Sequence, residues 1–164
     1  MGSVKQEQDI VVQIAKNFKD IDVNLPRLKK LVKAVCTRFK LSKATVSIAI
    51  VDDAEIRKVN KQFLNRSSTT DCLNFNLSDD DARKSFELVV NAEKAVKEAK
   101  LRGHSSEAEL ALYVTHGLLH NLGFDDSTQG RAKKMHDAED EILQQLGYGW
   151  VYNKSTGTED RRNF

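Results

Sequence analysis

Apolar positions along this chain recur at two spacings, near two residues and near 3.6, and their succession lays out the secondary structure. Ile10, Val11, Val12, Ile14 and Phe18 partly alternate with polar residues and predict a strand within residues 9–18. Leu28, Leu31, Val32, Val35, Cys36 and Phe39 form one stripe at helical spacing. Asn24 stands ahead of that stripe as an N-cap, with Pro26 in the first turn, so a helix is expected from there to about Phe39. Val46, Ile48 and Ile50 then alternate against Thr45, Ser47 and Ala49, which predicts a strand ending at Val51. Asp52 or Asp53 caps a helix carrying Ile56, Val59, Phe63 and Leu64. A polar loop over 65–70 leads to strands expected over 71–77 and 86–90, joined by a polar, acidic turn.

The second half is helical. Residues 92–101 read as a helix ended by Gly103. Ser106 and Glu109 match a capping box that opens the next helix. Its apolar residues Leu110, Leu112, Val114, Leu118, Leu119 and Leu122 form a band so wide that most of the helix must be buried. A last helix is expected over 127–146, with Met135, Ala138, Ile142 and Leu146 on one side and Gly147 at its end. Strands and helices are mixed without repeats or a linker. The expectation is a single α+β domain over residues 1–152, with a polar, disordered tail over 153–164.

Composition narrows the class. The chain has 164 residues, 40% hydrophobic and 30% charged, and no apolar run approaches a membrane span. The N-terminus lacks a signal core, and Gln6 spoils a myristoylation signal. Cys36 and Cys72 form no CxxC pair, which argues against a disulfide framework or a cysteine zinc site. A cytoplasmic protein is expected. The net charge of +2 says little about partners. Its distribution says more: residues 24–51 contain no acid, yet carry Arg27, Lys29, Lys30, Lys33, Arg38, Lys40 and Lys43. That segment reads first as the solvated face of a helix, and second as a phosphate-contacting surface.

The sharpest chemistry lies in residues 115–126. His116 and His120 are four apart, hence on one helix face, and Asp126 follows after Gly123, which can end the helix. This is the order and spacing of a three-ligand metal site with an open position, as in zinc hydrolases. In the zinc peptidases with similar spacing, a Glu follows the first His as general base. Here that position is Gly117, so peptidase chemistry lacks its base. Asp126 has an alternative reading as N-cap of the last helix. Asp125 shares that alternative, or else supports a histidine ligand from behind. His136 reads as an exposed helix residue, or else as a substitute ligand, and His104 is given no role.

At these residues the chain resembles the YbeY family of rRNA maturation endoribonucleases. The family's signature is His-Gly-x-Leu-His-Leu-x-Gly-Tyr-Asp-His; here the run reads His116-Gly117-Leu118-Leu119-His120-Asn121-Leu122-Gly123-Phe124-Asp125-Asp126. Thr70-Asp71-Cys72-Leu73-Asn74-Phe75 is similar to the family's Thr-Asp-Val-Leu-Ser-Phe strand. Residues 87–91 are similar to its next strand, and Asn60 sits where the family has an Asn. The resemblance implies an αβα sandwich with a small mixed four-stranded sheet and about five helices. It implies one zinc-type metal ion and hydrolysis of single-stranded RNA. It further implies work on the 3′ end of small-subunit rRNA in ribosome biogenesis, in the bacterial cytoplasm or an organelle. The family's third histidine is Asp126 here. The position of its Arg holds Leu64, with Arg66 two residues later as the local phosphate contact. Thr69 and Asn74 replace its Pro and Ser. These departures mark a diverged member. They admit a second reading, a weakened or inactive ribosome-associated RNA-binding protein with a relict metal site.

Overall fold

A computed structural model describes residues 9–79 and 82–149. The expected tail over 153–164 and the acidic pair Asp80-Asp81 lie outside the described residues. The elements run β1 (Asp9–Lys16), α1 (Leu25–Arg38), β2 (Lys43–Val51), α2 (Asp53–Leu64), β3 (Cys72–Asn76), β4 (Lys84–Asn91), α3 (Ala92–Arg102), α4 (Ser106–Asn121) and α5 (Gln129–Gln145). This is the expected α+β domain with five helices on a four-stranded mixed sheet.

The sheet order is β1-β2-β4-β3. β1, β2 and β4 run parallel, and β3 is antiparallel at the edge. Strand alternation sorts side chains to two faces. Val46, Ile48, Ile50, Phe86, Leu88 and Val90 face a large core shared with α1, α3, α4 and α5. Val51, Leu73 and Val89 face a small one with Ile56 of α2. The sandwich is therefore uneven, with a deep helical layer on one side and a single helix on the other.

Several ends follow from single residues. The Asn24, Asp52 and Asn91 side chains accept from the Arg27, Glu55 and Lys94 N–H groups and cap α1, α2 and α3. Two expected starts shift. The cap of α4 is Ser105, and Glu109 is no capping-box partner: it is fully buried, facing Arg102 at 3.4 Å and His104. α5 is capped by Thr128, which releases Asp125 and Asp126 from that task. In α2, Phe63 and Leu64 belong to the expected apolar stripe yet are 62% and 45% exposed. β3 is only five residues long, so little sheet lies beneath the last turn of α2.

α4 is the spine. Every residue from Ala108 to Leu119 is buried. It reaches the sheet most closely at Gly117, where a Cβ would stand 2.8 Å from Cys72 Sγ and 3.1 Å from Leu88 Cδ2. The missing side chain is thus what lets the helix lie on β3 and β4. Gly117→Ala is expected to destabilise the fold by about 1–3 kcal/mol through overpacking, despite alanine's better helix propensity. A lower denaturant midpoint with an unchanged m-value would register it; an equal or higher midpoint would refute the close-contact account.

Candidate metal centre

α4 carries both histidines on the face that meets the end of β3. His116 is 9% exposed and His120 half-buried, their rings 4.5 Å apart edge to face. His116 Nδ1 lies 2.7 Å from Glu139 Oε2. An ionised carboxylate only accepts, so the proton sits on Nδ1 and the Nε2 lone pair points away from Glu139. His120 Nε2 faces His116 Nε2 at 3.1 Å, and the Phe124 backbone hydrogen-bonds the His120 ring from its other side. Two lone pairs therefore converge on one point. Nitrogens bound to one tetrahedral zinc at about 2.0–2.1 Å stand roughly 3.3 Å apart, close to the spacing here.

Asp126 completes the group. Ligand atoms of His116, His120 and Asp126 all lie within 4.8 Å of one another, with Asp126 exposed. The turn that returns Asp126 follows from Gly123, whose φ is +100°. Gly123 N–H donates to His120 O at 3.1 Å and Phe124 N–H to Leu119 O at 3.0 Å, closing the C-terminus of α4. Phe124 then anchors the turn edge-on against Phe39, with centroids 5.4 Å apart. Burial and the neighbouring His116 hold the His120 pKa below its usual value, which favours the neutral ring that a metal needs.

The carboxylate behind the histidine is Glu139, a residue that sequence reasoning passed over. It is fully buried in α5 and bridges His116 to His136, whose Nδ1 lies 3.0 Å from Oε1. His136 is 6% exposed, contrary to the exposed position expected of it. Asp125 does not take this part. Its oxygens accept from Ser127 N–H and Oγ at 3.0 and 2.6 Å and from Arg131 at 3.2 Å. Glu139 had one signal in the sequence: it lies at helical spacing inside the apolar stripe of Met135, Ala138 and Ile142.

The three residues open into a pocket of about 300 Å³ lined also by Thr70, Asp71, Cys72, Asn74 and Gly117. Asn74 Nδ2 donates to Asn121 Oδ1 at 3.0 Å and ties β3 to the end of α4. Burial pushes the Cys72 thiol well above its usual pKa, so it is no nucleophile. Arg66 is exposed in the loop after α2 and is not among the residues lining the pocket. That loop is nonetheless held firmly. Asn60 Nδ2 donates to Ser68 O at 2.8 Å, and Arg57 reaches Ser67 O at 3.3 Å. Asp53 accepts from Thr69 Oγ1 and from Asn91 Nδ2, which also reaches Thr70 O at 3.2 Å.

Comparison with known proteins agrees with this architecture. Residues 13–147 match the family described as Endoribonuclease YbeY. A protein of that name from Carboxydothermus hydrogenoformans is 35% identical over 135 residues, 80% of this chain and 94% of its own. Another, from Malacoplasma penetrans, is 33% identical over 150 residues, 87% of this chain and 97% of its own. The solution structure of a Thermotoga maritima protein superposes with a TM-score of 0.56 at 23% identity, covering 82% of this chain and 91% of that one, a likeness of fold.

Two predictions follow from the site. Purified protein is expected to hold about one divalent ion per chain, lost in His116→Ala and His120→Ala. Elemental analysis reads this directly, and retention of metal in Asp126→Ala would move the third ligand elsewhere. The second concerns the loop clamp. Arg57 foremost, then Thr69 and Asn91, hold the Asp53 carboxyl down to about 2, below the usual carboxylate range. The folded pKa is the lower one, so the stabilisation is present above about pH 4 and fades as pH falls toward 2. Melting curves of the wild type and Asp53→Asn should therefore converge between pH 5 and 2.5; a constant gap would refute the clamp.

Proposed function

The chain belongs to the YbeY family of endoribonucleases, and from that premise we propose that it is a metal-dependent hydrolase that cuts single-stranded RNA. Its work would be maturation of the small-subunit rRNA 3′ end during ribosome biogenesis. The observation that carries the reading is the pair of imidazole lone pairs converging at 3.1 Å beside Asp126 in an open polar pocket. Zinc fits two imidazole nitrogens and a carboxylate, and other transition ions compete for the same donors.

His116, His120 and Asp126 would hold the ion, which would supply Lewis acidity toward a phosphoryl oxygen and lower the pKa of water. The protein's own part is positional. Glu139 fixes the His116 ring from behind, so its Nε2 stays aimed into the pocket. Asp126 adds a negative charge where the relatives' signature has a histidine. That weakens acidification of water and shifts preference toward harder ions such as manganese. Asp71 and Asn74 line the pocket. The first offers a carboxylate to take a proton; the second keeps an amide N–H for a phosphoryl oxygen after bonding Asn121. Gly117 leaves no general base next to His116, which speaks against peptide hydrolysis.

The second reading, a ribosome-associated RNA-binding protein with a relict site, is favoured by two observations. Leu64 stands at the position of the family's arginine, and Arg66 does not line the pocket. A cleavage assay separates the two. Single-stranded RNA is expected to be cut with added zinc or manganese, and His120→Ala to lower the rate at least a hundredfold. RNA that stays intact with every ion, while the protein still binds it, selects the binding reading.

A further inference from the structure

Among the described residues, the metal pocket has no basic side chain of its own to hold RNA. Its lining contains Asp71 and Asp126 and neither Lys nor Arg. A polyanionic strand arriving there needs positive charge close by. Immediately beyond Asp126 a second cleft of about 440 Å³ opens, within the range of roughly 300–1,000 Å³ common for ligand sites. Leu122, Gly123, Phe124 and Asp125 line it from the turn, and Arg131 and Lys134 from α5. The turn joins the two: His120 and Asp126 line the metal pocket, and residues 122–125 between them wall the cleft.

We infer that this cleft is the phosphate-holding subsite for the RNA strand adjoining the metal pocket, with Arg131 and Lys134 as its cations. The inference rests on the function proposed above. Arg131 is 64% exposed and bonds the 42% exposed Asp125 at 3.2 Å. An exposed pair of that kind contributes little, so a phosphate able to take two guanidinium N–H bonds displaces Asp125 easily. Lys134 is exposed and has no acidic partner among the described residues. Its ammonium is available as a point charge beside the guanidinium. Further basic residues stand near the turn. Phe39 against Phe124 brings the end of α1 alongside, where Lys40 is exposed just after Arg38. One end of α1, within the charge-rich segment over 24–51, thus stands beside the turn that walls the cleft.

The test is binding of a fluorescently labelled single-stranded oligoribonucleotide, with a chelator present so that nothing is cut. Anisotropy titrations at several salt concentrations compare the wild type with Arg131→Ala, Lys134→Ala and the double variant. Lys58→Ala, in the helix on the other face of the sheet, is the reference for losing one surface charge. Each single variant should bind several-fold more weakly and the double variant at least tenfold. Loss of two phosphate contacts should flatten the slope of log affinity against log salt by about 1.4. Metal content and melting temperature should stay at wild-type values, since both side chains are exposed. If the wild type binds RNA and the double variant matches Lys58→Ala in affinity and slope, the cleft assignment is overturned and the proposed function stands. If the wild type binds no RNA, both fall.

Discussion

α4 carries two conflicting obligations. It is buried along twelve consecutive residues, and it must still present two imidazoles to solvent. A helix so enclosed can expose a face only where its neighbours stop. β3 is the short edge strand, and Gly117 draws α4 down onto it, against Cys72 and Leu88. His116 and His120 flank that contact one turn apart. The depth at which the helix lies on the sheet therefore sets the depth of the histidines. The same glycine that removes a peptidase base is the one that the packing requires.

Buried polar groups complete the arrangement. Glu139 is fully enclosed, a costly position for a carboxylate unless it is bonded, and it is bonded on both oxygens. On the far side of the pocket, Asp53, Asn60 and Asn91 hold the loop that delivers Thr70 and Asp71. α5 fixes the histidine side and the α2 end fixes the loop side. α4 and β3 lie between them, tied by Asn74 and Asn121.

Much of this could be read in the sequence, for a physical reason. Caps, helix stops and the His116–His120 spacing are local, so Asn24, Asp52 and Gly103 announce their elements within four residues. Glu139 and His136 were missed because their partners are a helix away: nothing near residue 139 says that His116 will face it, and a charged residue in an amphipathic helix ordinarily points outward. Phe63 and Leu64 look like core residues by periodicity, but the sheet beneath them is too short to cover them. Asp125 was drawn toward the histidines by its neighbours in sequence, whereas a turn closed by Ser127 carries it toward Arg131.

The turn at Gly123 has a further consequence. Two of the three donors stand on a rigid helix whose rings are braced from behind; the third hangs from a short loop that leaves the helix at a positive φ. Such a site has one stiff jaw and one compliant jaw. Were the site to take an ion, differences in radius or coordination number would fall mainly on the carboxylate of Asp126 rather than on the braced histidines. The stiffness of a turn without any donor atom of its own would then help decide which metal the proposed site prefers.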